Sequence, residues 1–131
     1  MAIQINTPQV HHIGLRVSDF SRAKNFYQEI LGFKIILEKP NLFIFFAGST
    51  AIAIKGPEEG TPPNDVFNPF RVGLDHIALA ADSLNELHRV AEELQKAGIE
   101  NTGVKTDETL NKAYVAFKDP DRISWEYYMA S

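Results

Sequence analysis

One tetrapeptide returns with a single change. His12-Ile13-Gly14-Leu15 returns half a chain later as His76-Ile77-Ala78-Leu79. Each copy runs into an Asp/Ser pair, Ser18-Asp19 first and Asp82-Ser83 second. Each pair then opens an amphipathic stretch that ends at a glycine, Gly32 or Gly98. A repeat at half of 131 residues constrains the fold strongly, because it asks for one supersecondary unit used twice. A chain of this length makes one domain, here built from two modules that share its core.

Local patterning gives each module its order. In Val10–Val17, Ile13, Leu15 and Val17 point one way while His12, Gly14 and Arg16 point the other, as in a half-buried strand. Ser18 or Asp19 caps a helix with apolar positions Phe20, Ala23, Phe26, Tyr27, Ile30 and Leu31, and Gly32 suits the turn after it. His12 and Arg16 therefore belong on the sheet face away from that helix. Strand-like runs follow at Phe33–Lys39, Leu42–Ala47 and Thr50–Lys55, joined by Pro40-Asn41 and Gly48-Ser49 as hairpin connections. The second module repeats the order. A strand at Leu74–Ala81 precedes a helix through Leu84, Leu87, Val90, Ala91 and Leu94. Weak strand signals near 99–105 lead to a polar loop at 106–112, then to firm strands at Ala113–Lys118 and Ile123–Met129. The turn Lys118–Arg122 joins the last two.

The fold class is thus α+β, with two tandem βαβββ modules at about 9–56 and 73–129 inside a single domain spanning 1–131. The connector 57–72 holds four of the seven prolines and reads as a linker, with Val66, Phe67 and Phe70 expected to pack part of it down.

Composition narrows the function classes. A net charge of −4 with no basic run argues against nucleic acid as a partner. No apolar stretch approaches the roughly 20 residues that span a bilayer, and the first residues carry no signal-peptide pattern. A cytoplasmic location is expected. With zero cysteines, any metal must take histidine, carboxylate or amide ligands.

The repeated histidines carry the chemistry. His12 and His76 occupy equivalent positions on the non-helix face of each module's first strand. If the two sheets face each other, both look into one concave interior. Glu126, in the aromatic strand Ser124-Trp125-Glu126-Tyr127-Tyr128, is the best carboxylate to join them, since an unpartnered charge there would be costly. Two imidazoles and a carboxylate with open positions suit Fe(II), Mn(II), Ni(II), Co(II) or Zn(II). Such an ion acts as a Lewis acid on a substrate oxygen or as an oxygen-activating centre.

These residues resemble the vicinal oxygen chelate superfamily, the glyoxalase, bleomycin-resistance and extradiol dioxygenase group. The resemblance covers about 9–129. It rests on His12–Asp19, Phe26–Phe33, His76–Leu79, and Asp119-Pro120-Asp121 leading to Glu126. It implies paired βαβββ modules forming a cupped mixed sheet around a metal, often in a homodimer, with ligands at His12, His76 and Glu126. Four-ligand members such as glyoxalase I place a further ligand at the end of the first module. Overlaying Ala51-Ile52-Ala53-Ile54 on Ser124-Trp125-Glu126-Tyr127 puts Ala53 there, so water or a partner chain would have to fill the gap. The turn departs from the family's Asp-Pro-Asp-Gly-Asn, with Arg122 and Ile123 in place of Gly and Asn.

Arg16 lies about 13 Å along the strand from His12. It resembles the glyoxalase I arginine that holds a substrate carboxylate, with a salt bridge across the module interface as the other reading. Tyr114 and Tyr128 are expected to pack rather than donate protons. His11 should point away from His12, and His88 lies on a polar helix side. Extradiol dioxygenases use an additional His and Tyr near the metal. Here the Tyr position falls on Ala116.

Three functions follow in order. The first is a metal-dependent, glyoxalase-I-like lyase or isomerase that binds vicinal oxygens of a small substrate, with Glu126 also shuttling a proton. The second is a metal-free drug- or metabolite-binding protein whose groove is lined by Phe43, Phe45, Phe46 and Trp125. The third is an extradiol-type dioxygenase.

Overall fold

The computed structural model describes all residues, Met1–Ser131. The chain forms two compact units, Met1–Thr61 and Pro62–Ser131, whose boundary falls inside the proline-rich connector. No helix is long and apolar enough to cross a membrane.

The first unit follows the order read from the sequence. Strand β1 (His12–Arg16) leads to helix α1 (Phe20–Lys24), then to β2 (Ile35–Lys39), β3 (Leu42–Ala47) and β4 (Thr50–Lys55). The four strands make one sheet in the order β1-β4-β3-β2, with β1 parallel to β4 and the rest antiparallel. Of the two candidate caps, Asp19 is the one used, its side chain accepting the Arg22 N–H. Leu15, Phe43, Phe45, Ile52 and Ile54 are buried on the helix-facing side, where Phe20 and Tyr27 meet Phe43 and Phe45 edge-on, tilted or stacked.

The helix does not keep its expected spacing to the end. Asn25–Ile30 winds as a π-helix, with the Leu31 N–H donating to Phe26 O, five residues back. The wider turn buries the consecutive pair Phe26 and Tyr27 and leaves Ile30, expected inward, 40% exposed. Such single-turn insertions are where a helix departs from a regular apolar stripe.

The second unit holds β5 (Ile77–Ala81), α2 (Leu84–Lys96), β6 (Lys105–Asp107), β7 (Lys112–Lys118) and β8 (Ser124–Met129). Its sheet runs β5-β8-β7-β6, with β5 parallel to β8. Ser83 caps α2 by accepting the Glu86 N–H, and the helix packs over β5, β7 and β8. Of the weak signals at 99–105, an isolated Asn101–Phe117 bridge forms, while the three-residue β6 starts at Lys105 and runs into the stretch expected as a polar loop. The connector packs less than expected. The Phe67 N–H donates to Asp121 O, while Val66 and Phe70 are exposed.

Candidate functional site

The open face of the second sheet is built in rungs. Val115, Phe117, Trp125 and Ala81 are buried on the other face, so alternation turns Glu126, Ala116 and Lys118 away from α2. Because β8 lies between β5 and β7, Glu126 pairs with Ala78 on one side and Ala116 on the other. Two methyl groups therefore flank a half-buried carboxylate and leave space above it. One rung on one side carries Lys118 paired with Ser124, and one rung on the other carries Tyr114 paired with Tyr128.

His76 immediately precedes β5, and its ring reaches across to Glu126. Its Nε2 lies 3.4 Å from Glu126 Oε1. Its Nδ1 lies 2.7 Å from Asp75 Oδ1. An ionised carboxylate can only accept, so Nδ1 carries the proton and donates it to Asp75. When the ring carries that proton alone, the lone pair of Nε2 is turned toward a second lone-pair donor, Glu126. Two acceptors so placed repel unless a cation, a proton or a metal ion, sits between them. A carboxylate on the far nitrogen is also how metal-binding histidines are held. The donor chemistry of this pair fits a divalent ion. A hollow of about 240 Å³ opens over it, with Asp75, Lys118 and Ser124 in its lining and Pro69 and Phe70 on its wall.

The first unit shows the same register with different residues. Gly14 pairs with Ala53 as Ala78 pairs with Glu126, so Ala53 is the repeat equivalent of Glu126 and offers only a methyl group. His12 is exposed at the start of β1, its Nδ1 2.9 Å from His11 Nδ1 and the two rings edge-to-face. His11 thus turns toward His12 rather than away from it. It precedes the first residue of β1, where strand alternation no longer dictates direction. Arg16 donates to Gly56 O at 2.7 Å and lies 3.5 Å from Glu58 Oε1, so its ion pair is within its own unit. Neither unit by itself gathers three histidine or carboxylate side chains that could hold a metal ion.

Two aromatic expectations resolve differently. Tyr128 donates its hydroxyl to Asp107 Oδ2 at 2.8 Å and stacks on Tyr114. Burial and then the Asp107 hydrogen bond push its phenol up to about 12, which holds the proton where it is. Phe43, Phe45 and Trp125 are almost wholly buried, whereas Phe46 is 48% exposed. Of the four aromatics expected along a groove, only Phe46 is open to solvent. Sequence reasoning passed over Asp75 and Lys118. Asp75 had one signal, its place directly before the repeated histidine.

Residues 9–127 match the family described as Glyoxalase/Bleomycin resistance protein/Dioxygenase superfamily. The protein YwkD of Bacillus subtilis (strain 168) is 32% identical over 126 residues, covering 91% of this chain and 94% of its own. The metallothiol transferase FosB of Staphylococcus saprophyticus is 26% identical over 119 residues, covering 91% of this chain and 75% of its own. The crystal structure of a glyoxylase/bleomycin resistance protein/dioxygenase domain from Frankia sp. EAN1pec matches with a TM-score of 0.79 at 26% identity. That match covers 96% of this chain and 100% of the Frankia chain.

Proposed function

This chain belongs to the glyoxalase/bleomycin resistance protein/dioxygenase superfamily, and from that membership we propose that it is a metal-dependent lyase or isomerase binding vicinal oxygens of a small substrate. Members of the superfamily commonly use divalent metals and bind small molecules. In this proposal His76 and Glu126 are two ligands, and His12, the repeat partner of His76, is the third. The ion is Ni(II), Zn(II), Co(II), Mn(II) or Fe(II). One observation carries the reading: His76 Nε2 and Glu126 Oε1 stand 3.4 Å apart while Asp75 takes the other ring proton. That arrangement calls for a cation between them.

When bound, such an ion supplies Lewis acidity toward a substrate oxygen. The rest of the work falls to the chain. Asp75 keeps the His76 proton on Nδ1 and the ring in one orientation. Ala78 and Ala116 leave room for the substrate over Glu126. The Glu126 carboxylate accepts a proton from the carbon beside the polarised oxygen and returns it to the neighbouring position. Tyr128, bound to Asp107, takes no part in that transfer. Arg16, with a side chain 41% exposed, is the first unit's candidate for holding an acidic group of the substrate. The proposed setting is a cytoplasmic homodimer.

A second reading, a metal-free binding protein for aromatic ligands, draws on Phe70, which is 94% exposed on the wall of the same hollow. Elemental analysis of untagged protein purified without chelator separates the two, with His76→Ala as the control. Near-stoichiometric transition metal that disappears in His76→Ala supports the metalloenzyme. Protein that holds no metal and takes none up from Ni, Co, Mn, Fe or Zn salts refutes it in favour of the binding protein.

A further inference from the structure

The rung beside Glu126 bears on the class of substrate. Phe117, 5% exposed, faces the helix side, so its neighbour Lys118 is turned onto the open face. The Lys118 ammonium donates to Ser124 Oγ at 2.6 Å and makes no ion pair. Both residues line the hollow that also contains His76 and Glu126. An ammonium has three donors, of which Ser124 takes one. By accepting at Oγ, Ser124 has its own hydroxyl proton to give. Lys118 is the only cationic side chain in the lining, apart from His76 when protonated. Of the two carboxylates there, Asp75 is hydrogen-bonded to His76 and Glu126 faces its Nε2 at 3.4 Å.

We propose that Lys118 and Ser124 form an anion subsite, and that the substrate is a small carboxylic acid carrying its vicinal oxygens a few atoms from its carboxylate. The inference rests on the reading of His76 and Glu126 as the reacting end of the hollow. Residues two apart on a strand are separated by about 7 Å. A carboxylate held at the Lys118–Ser124 rung therefore places a hydroxyl or carbonyl oxygen, roughly three or four atoms along, over the Glu126 rung. Neutral diols and aldehydes of the same length lack the charge that Lys118 meets.

The test uses the full chain and two probes of matched shape, 3-hydroxybutyrate and 1,3-butanediol. Binding is read by calorimetry with and without added Ni(II). The acid is expected to bind the wild-type protein at least about tenfold more tightly than the diol. Lys118→Met should remove that preference and Lys118→Arg should keep most of it, with melting temperatures of all three proteins reporting that they fold. Ni(II) affinity in Lys118→Met should match wild type. If metal uptake fails while the Lys118-dependent preference for the acid persists, the metalloenzyme reading falls and the anion subsite stands. Equal binding of acid and diol, no binding of the acid, or full acid binding by Lys118→Met would each overturn the subsite.

Discussion

Replacing Asp75 by alanine removes one hydrogen bond and almost nothing else. The carboxylate is 74% exposed, so its loss opens no cavity, and any loss of stability is limited to that one screened contact. Its contact with His76 Nδ1 is short, 2.7 Å, and charge-assisted, a class worth about 1.5–3 kcal/mol. Solvent screening at so exposed a carboxylate places the effect at the lower end. Without Asp75 the ring is free to rotate and to move its proton to Nε2, the nitrogen that faces Glu126 at 3.4 Å. Outer partners of metal-binding histidines typically account for about 10- to 100-fold in affinity. The screened contact therefore predicts about a tenfold loss, or about 1.4 kcal/mol. Competition with a chelator measures that loss directly for Ni(II) or Zn(II). Nitrogen NMR of the His76 ring reports the tautomer independently. Asp75→Asn, whose amide oxygen still accepts, should recover most of the affinity. Should Asp75→Ala bind metal as tightly as wild type with His76 still protonated at Nδ1, the orienting role of Asp75 is refuted.

Two further outcomes follow from the geometry. Arg122 adopts φ 67° in the turn where the superfamily's common motif places glycine, and its ion pair, to Glu100 at 3.1 Å, is an exposed one. Arg122→Gly should stabilise the protein by about 0.5–1 kcal/mol, visible as a melting temperature raised by a few degrees; a lowered one would show that the ion pair outweighs the backbone strain. The second outcome concerns pH. Hydrogen bonds from the Thr109 backbone and then Tyr128 lower the Asp107 carboxyl, so its contribution to stability is present above the unfolded carboxylate range and is lost as pH falls through its folded value. Tyr128 is shifted the opposite way, so its contribution is present below the ordinary tyrosine range and is lost as pH rises through about 12. An absorbance titration should find Tyr128 ionising late, with Tyr127 also raised by burial, and Asp107→Asn should bring the Tyr128 step down while leaving that of Tyr127. An unchanged Tyr128 step would assign its shift to burial alone.

Much of the fold was legible because it is local and periodic. The strands at Leu42–Ala47 and Thr50–Lys55 appear with the bounds read from the turns that flank them, and of the two caps offered for the first helix Asp19 is used. The repeat also predicted that Ala53 stands where Glu126 does, and the pairings Gly14–Ala53 and Ala78–Glu126 place them so. The π-helical turn at Asn25–Ile30 was not legible, since a continued 3–4 spacing and an added residue share most of their apolar positions. The turn of His11 toward His12 was missed for a related reason, because alternation speaks only for residues inside a strand.

What the sequence determined by itself was therefore which residues lie on which face. A period of two puts His12, Gly14 and Arg16 on one side of β1, and Ser124, Glu126 and Tyr128 on one side of β8, whatever packs against them. Only the tertiary structure decided which of those residues meet. His76 and Glu126 are 50 positions apart and come together because β5 runs parallel to β8 in a register that sets Ala78 beside Glu126. Register depends on hydrogen bonding between strands and on the fit of Trp125, Phe117 and Val115 beneath the sheet, which no single strand encodes. The β7–β8 hairpin sets Lys118 beside Ser124 locally, but only the long-range β5–β8 register brings His76 to the same hollow.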